Sequence, residues 1–321
     1  MKAIRVRAFG GPDVLQLSTI PDPIPGPGQV LVRLGAAGVN PVETYIRSGQ
    51  YARLPELPYT PGSDGAGLIA ALGDGVTGLR AGQRVWVNGS VTGTYAEAAL
   101  CDAASVHPLP DRVSFAQGAA LGVPYPTAYR ALVQRGGARP GETVLIHGAT
   151  GGTGLAAVQL ARMLGLRVQA TGGTEAGRQL LTAQGAEAFD HASPTLVDDV
   201  LKATGGGVNL IVEMLANANL ARDLTMLARG GRIAVVGSRG PVEINPRDAM
   251  AREADIRGVM SFNATKEQLA EACAAIHAGL ASGALAPIIA EEIALVEAPR
   301  AHAAVMAPGH SGKIVLTCAD L

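Results

Sequence analysis

A glycine-dense turn near the middle of the chain has residue types and a spacing suited to holding a nucleotide pyrophosphate. It reads Gly148-Ala-Thr-Gly151-Gly-Thr-Gly154, after the apolar run Thr143–Ile146 and before the amphipathic run Leu155–Leu164. Glycine lets the chain turn sharply from strand to helix, and lets the backbone approach phosphate where a Cβ would collide. This predicts the first half of a dinucleotide-binding βαβ unit. A second register, Gly152-x-Gly154-x-x-Ala157, fits equally, so the pattern leaves open which glycine contacts phosphate.

The stretch from Thr143 to Thr174 contains no Asp or Glu. An NAD site normally has a carboxylate at the end of the second strand, where it holds the ribose 2′-hydroxyl. Here Thr171-Gly-Gly-Thr174 occupies that place, so a 2′-phosphate would meet no fixed negative charge, and we predict NADPH as the cofactor. Glu175 follows directly, which leaves NADH open. Arg178 and His191 either donate to the 2′-phosphate or are solvated surface residues.

All six tyrosines fall in the first half of the chain, although aromatic residues make up only 3% of it. A tyrosine has an apolar face and a polar tip, which suit a pocket for a flat, partly oxygenated ligand. Tyr45 and Tyr51 lie within or next to the polar segment Asn40–Gln50, whose composition is unlike a core. We expect core filling instead for Tyr59 and Tyr95.

The elements that position these residues fall into three zones. Residues 1–125 carry short alternating strands punctuated by Gly and Pro, which predicts an irregular β-rich domain. In residues 126–262 strands alternate with helices, which predicts a doubly wound parallel sheet and an α/β fold class. Residues 263–321 close with a strand at Lys313–Thr317, and we expect this part to return to the first domain. The apolar strand Gly231–Gly237 would lie in or near a sheet edge and pair across a twofold axis.

Composition and charge exclude several classes of function. Of the 321 residues, 48% are hydrophobic and 17% charged, which is enough apolar material for two cores and too little charge for disorder. A net charge of −1 and a pI near 6.6 argue against a general nucleic-acid or membrane-surface role. The first residues alternate like a strand rather than a signal peptide, so we expect a soluble, cytoplasmic protein. The three cysteines show no CxxC spacing, which argues against a disulfide framework and against a structural zinc lobe.

Several segments resemble the zeta-crystallin type of quinone oxidoreductase, a branch of the medium-chain dehydrogenase/reductase superfamily. They are Gly38–Gly49, Leu57–Asp64, His147–Ala157, Glu213–Asn217 and Val236–Arg247. The resemblance extends over nearly the whole chain. It implies a GroES-like β-rich catalytic domain, a Rossmann NADPH-binding domain, quinones as substrates and a homo-oligomer, either a dimer or a tetramer.

The resemblance, together with the rule that such folds bind ligands at the carboxyl ends of their strands, gives two sets of candidate residues. The catalytic set is Asn40, Glu43, Tyr45, Tyr51 and Tyr129. The cofactor-binding set is Thr127, Gly148, Ala149, Gly151, Gly152, Thr153, Gly154, Gly173, Thr174, Arg178, His191, Asn217, Gly237, Ser238, Arg239, Phe262 and Lys313. We expect Asn40 to fix the nicotinamide–substrate geometry, the three tyrosines to wall the pocket, and Tyr45 or Tyr51 to donate a hydrogen bond or a proton. Glu43 either organises its loop or is a buried structural carboxylate.

Zinc alcohol dehydrogenases belong to the same superfamily, so the metal must be considered residue by residue. By resemblance, their catalytic zinc ligands correspond to Asn40, Ser63 and a position near Val123. None of these offers a thiolate or an imidazole, and Asp64 alone cannot hold zinc. We therefore predict a reductase with no metal. A simple ketone is hard to reduce without a Lewis acid, whereas a quinone gives a delocalised hydroquinone anion that hydrogen bonds can support.

Two other functions remain open at this point. An NADPH-dependent alkenal or enone double-bond reductase would need the same zinc-free site. The resemblance also permits a role as a nucleotide-binding crystallin or an RNA-binding protein, although near-neutral charge and the lack of a basic aromatic platform weigh against RNA. The missing zinc ligands disfavour an alcohol dehydrogenase, and no G-x-S-x-G elbow supports a hydrolase.

Overall fold

The computed structural model describes all 321 residues, which form two compact units. The first unit comprises Met1–Val123 and Ala286–Leu321, and the second comprises Pro124–Leu285. The strands are β1 (Lys2–Arg5), β2 (Gln16–Thr19), β3 (Gln29–Gly38), β4 (Asp64–Leu72), β5 (Arg84–Asn88), β6 (Ala98–Asp102), β7 (Val106–Pro108), β8 (Thr143–Ile146), β9 (Arg167–Gly172), β10 (Glu187–Asp190), β11 (Val208–Glu213), β12 (Leu227–Val235), β13 (Asp255–Gly258), β14 (Ile289–Ala294) and β15 (Lys313–Thr317). The α-helices are α1 (Pro41–Arg47), α2 (Phe115–Ala119), α3 (Pro124–Tyr129), α4 (Gly152–Met163), α5 (Glu175–Ala183), α6 (Leu196–Thr204), α7 (Ala216–Met226), α8 (Pro246–Arg252), α9 (Lys266–Ser282) and α10 (Ala298–Ala304). No helix combines the length and the apolar character that a bilayer crossing requires.

The first unit is organised around the long strand β3. It lies in a seven-stranded sheet of order β14-β15-β3-β4-β5-β7, in which β6 also pairs with β3. Val30, Val32 and Leu34 are fully buried while the intervening Arg33 is exposed, as the period-two alternation of a half-buried strand requires. The last strand, β15, runs antiparallel to β3, and the backbone N–H of Val39 donates to Ile314. This pairing brings the C-terminal strand beside the start of α1.

The second unit contains a six-stranded parallel sheet of order β10-β9-β8-β11-β12-β13. Counted from β8, this is the strand order of a doubly wound dinucleotide-binding sheet, as the alternation of strands and helices predicted. Residues 144–146 of β8 are all fully buried, because helices cover both faces of a parallel sheet. The carboxyl ends of the strands lie at one edge, so the loops that follow β8, β9, β11 and β12 are brought together there.

The C-terminal segment of the chain, residues 263–321, divides differently from our expectation. Residues 263–321 were expected to join the first unit, but the chain returns there only at Ala286. Helix α9 packs against α3 in the second unit instead. Its residue Gln268 accepts a 2.7 Å hydrogen bond from the Arg130 side chain, and Glu271 accepts one of 2.9 Å from the Tyr129 hydroxyl.

The apolar strand expected in or near a sheet edge lies next to the edge and not at it. The apolar segment Gly231–Gly237 lies mainly in β12, which pairs with β11 on one side and β13 on the other. The edge strand on this side of the sheet is therefore β13, and the expected pairing of residues 231–237 across a twofold axis is wrong. The homo-oligomer itself stays a prediction.

Candidate cofactor and active sites

The glycine turn links β8 to α4 and is fixed against the neighbouring strand β9. Gly148 has a left-handed backbone, with φ of +57°, and its N–H donates to the Thr171 hydroxyl at 3.3 Å. A Cβ on Gly154 would lie 2.4 Å from the carbonyl oxygen of Gly148, so only glycine allows the helix to begin this close to the turn. Around Gly151, by contrast, the nearest atom to such a Cβ is 3.7 Å away. Free N–H groups in the first turn of α4 give this end a partial positive charge that attracts anions.

The residues proposed for the 2′-phosphate come together after β9 and β10. A Cβ on Gly173 would lie only 2.6 Å from the imidazole ring of His191. The Arg178 guanidinium is held by two carboxylates, Asp190 at 3.0 Å and Glu175 at 2.9 Å. Sequence reasoning identified Arg178 but missed Asp190, which ends β10 and fixes that guanidinium. Thr174 caps α5 by accepting a 3.1 Å hydrogen bond from the N–H of Gly177.

The loop after β12 is joined by a hydrogen bond to the first turn of α7, which follows β11. The Asn217 side-chain oxygen accepts from the backbone N–H of Arg239 at 2.8 Å, and the Ser238 hydroxyl donates to Gly240 within the same loop. A Cβ on Gly237 would lie 2.4 Å from the carbonyl oxygen of Met214, so glycine is needed for the loops to approach.

Three further candidates of the cofactor set fall in two places. Thr127, on α3, shares a 2.8 Å hydrogen bond between hydroxyls with Ser261, and the adjacent Phe262 is exposed. Lys313 lies in the first unit, where its side chain is almost fully buried. The cofactor contacts themselves stay predictions for the whole set.

A buried network of polar side chains surrounds Asn40 in the first unit. The Asn40 amide nitrogen donates to Asp64 Oδ1 at 2.9 Å, and its oxygen accepts a hydrogen bond from the Lys313 ammonium. Lys313 also lies 3.4 Å from Asp64 Oδ2. Two features fix the start of α1. Pro41 occupies its first position, and the Asn40 N–H donates to Glu43 Oε2 at 2.9 Å. The network therefore holds Asn40 by both ends of its amide.

Glu43 is the most perturbed group of this network. Its carboxylate accepts hydrogen bonds from the Asn40 backbone and side chain, from the Tyr95 hydroxyl at 2.7 Å and from the Ser63 N–H at 3.3 Å. Burial raises the pKa of Glu43 to about 7, and the Asp64 charge adds to the rise, whereas Lys313 and the hydrogen bonds oppose it. These hydrogen bonds join Glu43 to Asn40, Tyr95 and Ser63, which fits a buried carboxyl group that organises its loop.

The tyrosines occupy different environments. Tyr95, expected to fill the core, is fully buried but also bonds to Glu43 and lies 3.1 Å from His302 Nε2. Tyr59, the other expected core residue, is half-buried against the same hydrophobic core. Tyr45 and Tyr51 are both half-buried in the first unit. Burial and the Glu271 carboxylate raise the pKa of Tyr129, in the second unit, to about 12.

The side chains at the positions of the zinc ligands do not fit a zinc ion. Asn40 offers an amide that is already bonded at both ends, and Val123 offers only its backbone N–H, which donates to Asp64 Oδ2 at 3.2 Å. The Lys313 ammonium beside Asn40 and Asp64 would repel a divalent cation. Zinc also prefers thiolate, imidazole or carboxylate ligands to amides and hydroxyls.

A second buried polar cluster escaped sequence reasoning. His147, Glu213 and Asp223 bring their ligand atoms within 4.8 Å of one another in the second unit. His147 follows β8 and Glu213 ends β11, and these strands are neighbours. Applying the carboxyl-end rule to polar residues as well as to glycines would have paired His147 with Glu213, but Asp223 on α7 had no such signal.

Each of the two units contains a segment that matches a known protein family. Residues 26–111 match the family of alcohol dehydrogenase GroES-like domains, and residues 152–278 match the family of zinc-binding dehydrogenases. The chain is 49% identical to human quinone oxidoreductase over 320 residues, which cover 98% of this chain and 97% of the relative.

Two solved structures are similar over almost their whole length. An NAD-dependent alcohol dehydrogenase has a TM-score of 0.91 at 30% identity, with 99% of this chain and 100% of that chain covered. A mycobacterial protein in complex with NADPH has a TM-score of 0.89 at 31% identity, again with 99% and 100% covered. The expectations of an α/β fold with GroES-like and Rossmann parts, and of an oxidoreductase, are thus confirmed. This chain belongs to the quinone oxidoreductase family of the medium-chain dehydrogenase/reductase superfamily.

Proposed function

We propose that this protein reduces quinones, that NADPH is its hydride donor, and that it needs no zinc. One observation carries the proposal beyond family membership: a buried lysine ammonium lies beside Asn40 and Asp64, where the zinc enzymes of this superfamily have their ion. A substrate that needs no Lewis acid fits such a site, and a quinone is one because its reduced form is a delocalised anion. Quinone reduction also agrees with the name of the human relative.

The second unit supplies the residues proposed to bind NADPH. Gly148, Gly151 and the first turn of α4 suit the pyrophosphate, since the two glycines leave the backbone open and the first turn of the helix offers free N–H groups. Gly173, Arg178 and His191 suit the 2′-phosphate, because the His191 imidazole lies beside Gly173 and the Arg178 guanidinium donates to the carbonyl oxygen of the preceding Gly172. Bound NADPH would supply the hydride, and the protein would supply orientation and the exclusion of water.

The first unit supplies the residues proposed to act on the quinone. Reduction of a quinone to a hydroquinone takes one hydride and one proton. We assign the positioning of the reacting rings to Asn40, whose amide is fixed by Asp64 and Lys313. Tyr45 and Tyr51 are the candidates for donating a hydrogen bond or the proton, and their hydroxyls suit the carbonyl oxygens of a quinone.

The first test is NADPH oxidation with 1,4-benzoquinone or 9,10-phenanthrenequinone, beside an enone and repeated with NADH and with EDTA. We expect quinone-dependent oxidation that prefers NADPH and ignores the chelator. Turnover with the enone alone would move the protein to the double-bond reductases, and loss of activity in EDTA would contradict zinc independence. If Tyr51→Phe and Asn40→Ala both leave kcat/KM unchanged, neither residue belongs to the mechanism.

We also propose that the protein is a homodimer, which its family membership supports. β12 cannot form the dimer contact by strand pairing, because it is paired on both sides within the sheet. Light scattering at micromolar concentration measures the mass directly. A mass of one chain would refute an oligomer of any size, and a mass of four chains would replace the dimer by a tetramer.

A further inference from the structure

The cluster of His147, Glu213 and Asp223 contains two carboxyl groups with too few partners. All three side chains are between 0% and 2% exposed, and His147 Nε2 lies 3.0 Å from Asp223 Oδ1 and 3.8 Å from Glu213 Oε2. The other oxygen of Asp223, Oδ2, and Glu213 Oε2 are buried and have no hydrogen-bond partner. The ligand atoms of the three residues lie within 4.8 Å of one another. Two buried carboxylates this close, each with an unpaired oxygen, are strongly unfavourable, so a proton or a metal ion must balance them.

The hydrogen bonds of His147 favour a proton. His147 Nε2 lies within hydrogen-bonding distance of Asp223 Oδ1, and Nδ1 lies 3.2 Å from the Thr171 hydroxyl. Thr171 accepts from the Gly148 N–H, so its own hydroxyl proton is free to go to Nδ1, which leaves the imidazole proton on Nε2. Both ring nitrogens are then occupied, and a metal would have to displace one of these bonds.

The cluster is linked to three of the loops proposed to hold the cofactor. Through Thr171 it reaches Gly148 in the glycine turn. Glu213 Oε1 accepts from the backbone N–H of Leu215, directly before α7, whose first turn carries Asn217.

The third link runs along α7. The Asn219 side chain donates to Glu213 Oε1 at 3.1 Å and accepts from Arg222 at 2.6 Å. Arg222 in turn donates to the carbonyl oxygen of His191 at 3.2 Å. No other charged side chain is bonded to this chain of contacts, so Arg222 is the cation that balances its remaining negative charge.

We propose that Glu213 and Asp223 share one proton, between Oε2 and Oδ2, and that the neutral cluster so formed positions the NADPH-binding loops. This inference rests on the proposed function, because it assumes that these loops bind NADPH. Glu213, Asp223 and His147 are then positioning residues, which act on the cofactor through the loops. When the proton leaves, a second negative charge appears beside loops that must receive phosphates, and the affinity for NADPH falls.

The direction of the pH dependence follows from the burial of the two acids. Burial is the main cause that raises the pKa of both Glu213 and Asp223 above the ordinary values of these acids. Burial lowers the pKa of His147 to about 4, so its imidazole is neutral. The two carboxyls titrate as a pair, which keeps its shared proton below neutral pH and loses it above.

The decisive experiment measures the Kd of NADPH by fluorescence or calorimetric titration across the neutral range, for the wild type, Asp223→Asn and Glu213→Gln. Each amide can donate to the remaining carboxylate in place of the shared proton, so both variants keep the cluster neutral without a titrating group. We expect the wild-type Kd to rise roughly tenfold from about pH 6 to about pH 9, as one linked proton allows. At about pH 6 both variants should bind NADPH with the wild-type Kd. Between about pH 6 and about pH 9 their Kd should rise much less than that of the wild type.

The controls separate this inference from the proposed function. Asp198→Asn changes an exposed aspartate of the same unit and should keep the full pH dependence. If the wild type does not bind NADPH at all, the proposed function fails. If it binds NADPH and both amide variants keep the wild-type pH dependence, the shared proton is refuted. A stoichiometric metal in the purified wild type, lost in Asp223→Asn, would also overturn it.

Discussion

The ammonium nitrogen of Lys313 lies 3.4 Å from Oδ2 of Asp64, and both side chains are almost fully buried in the first unit. The same ammonium donates to the Asn40 side chain. β15 makes this contact possible, because its antiparallel pairing with β3 brings the end of the chain beside Asn40. The buried ammonium group of Lys313 therefore lies beside Asn40, the residue that we propose orients the substrate.

Replacing Lys313 by Met should destabilise the protein strongly. The change leaves the Asp64 carboxylate buried and without its cation, and such a loss typically costs about 3–5 kcal/mol. Urea unfolding measures the effect. Lys202→Met removes an exposed lysine from α6 and should stay within about 0.5 kcal/mol of the wild type. A small effect of Lys313→Met would mean that Asp64 is protonated or solvated, contrary to the geometry.

The sequence predicted those parts of the fold and site that depend on local patterns. The glycine turn, the alternation of strands and helices, and the short strands of the first unit all carry periodic or turn signals that act over a few residues. For this reason Gly148–Gly154 and β15 were found where the structure has them.

Contacts between distant residues had no such signal. Asn40 and Lys313 are joined by strand pairing across 273 residues, and nothing in either local pattern indicates the partner. α9 was assigned to the wrong unit for the same reason, since Glu271 contacts Tyr129 of α3 and Gln268 contacts the adjacent Arg130, residues far apart in sequence. Asp190 was missed because it lies after the acid-free stretch and reaches Arg178 only through the pairing of β10 with β9.

Glu43 should make the first unit less stable as the pH rises through neutrality. Its pKa is raised from 4.5 to about 7 in the folded protein, mainly by burial. The folded state therefore holds this proton more tightly, and the resulting stability is fully present below about pH 4.5 and lost as the pH rises through about 7. The linked free energy is on the order of 3 kcal/mol.

Glu43→Gln tests this dependence, because the amide cannot titrate. Two of its hydrogen bonds are lost, so the variant is less stable than the wild type under acidic conditions. We expect the difference in unfolding free energy to shrink as the pH rises from about 5 to about 8. Glu56→Gln, at an exposed position, should give a constant difference over the same range. A constant difference for Glu43→Gln as well would show that Glu43 is ionised throughout.

Arg178 should determine the preference for NADPH over NADH. Its guanidinium is fixed by Asp190, Glu175 and the carbonyl oxygen of Gly172, and charge-assisted contacts to a phosphate are strong. Arg178→Ala should raise the Kd of NADPH by about tenfold and that of NADH by less than about twofold. Arg162→Ala, which removes an exposed arginine from α4, is the matched control. Equal losses for the two cofactors would mean that Arg178 supports the loop and does not contact the 2′-phosphate.

Alanine substitutions at Gly151 and Gly154 should distinguish the role of the turn in folding from its role in binding NADPH. A Cβ on Gly154 would lie 2.4 Å from the Gly148 carbonyl oxygen and 2.5 Å from the Ala149 Cα, both of them backbone atoms that cannot turn aside. Gly154→Ala should therefore destabilise the protein by about 1–3 kcal/mol. At Gly151 the nearest atom is 3.7 Å away and φ is −76°, so alanine fits the folded chain.

Gly151→Ala should keep the unfolding free energy within about 1 kcal/mol of the wild type. Its methyl group would nevertheless occupy space that the proposed pyrophosphate needs, and the Kd of NADPH should rise at least about tenfold. Measuring urea unfolding and NADPH titration on both variants distinguishes the two roles. If Gly151→Ala binds NADPH like the wild type, the phosphate approaches the turn elsewhere, and Gly148, with its exposed left-handed backbone, becomes the residue to substitute next.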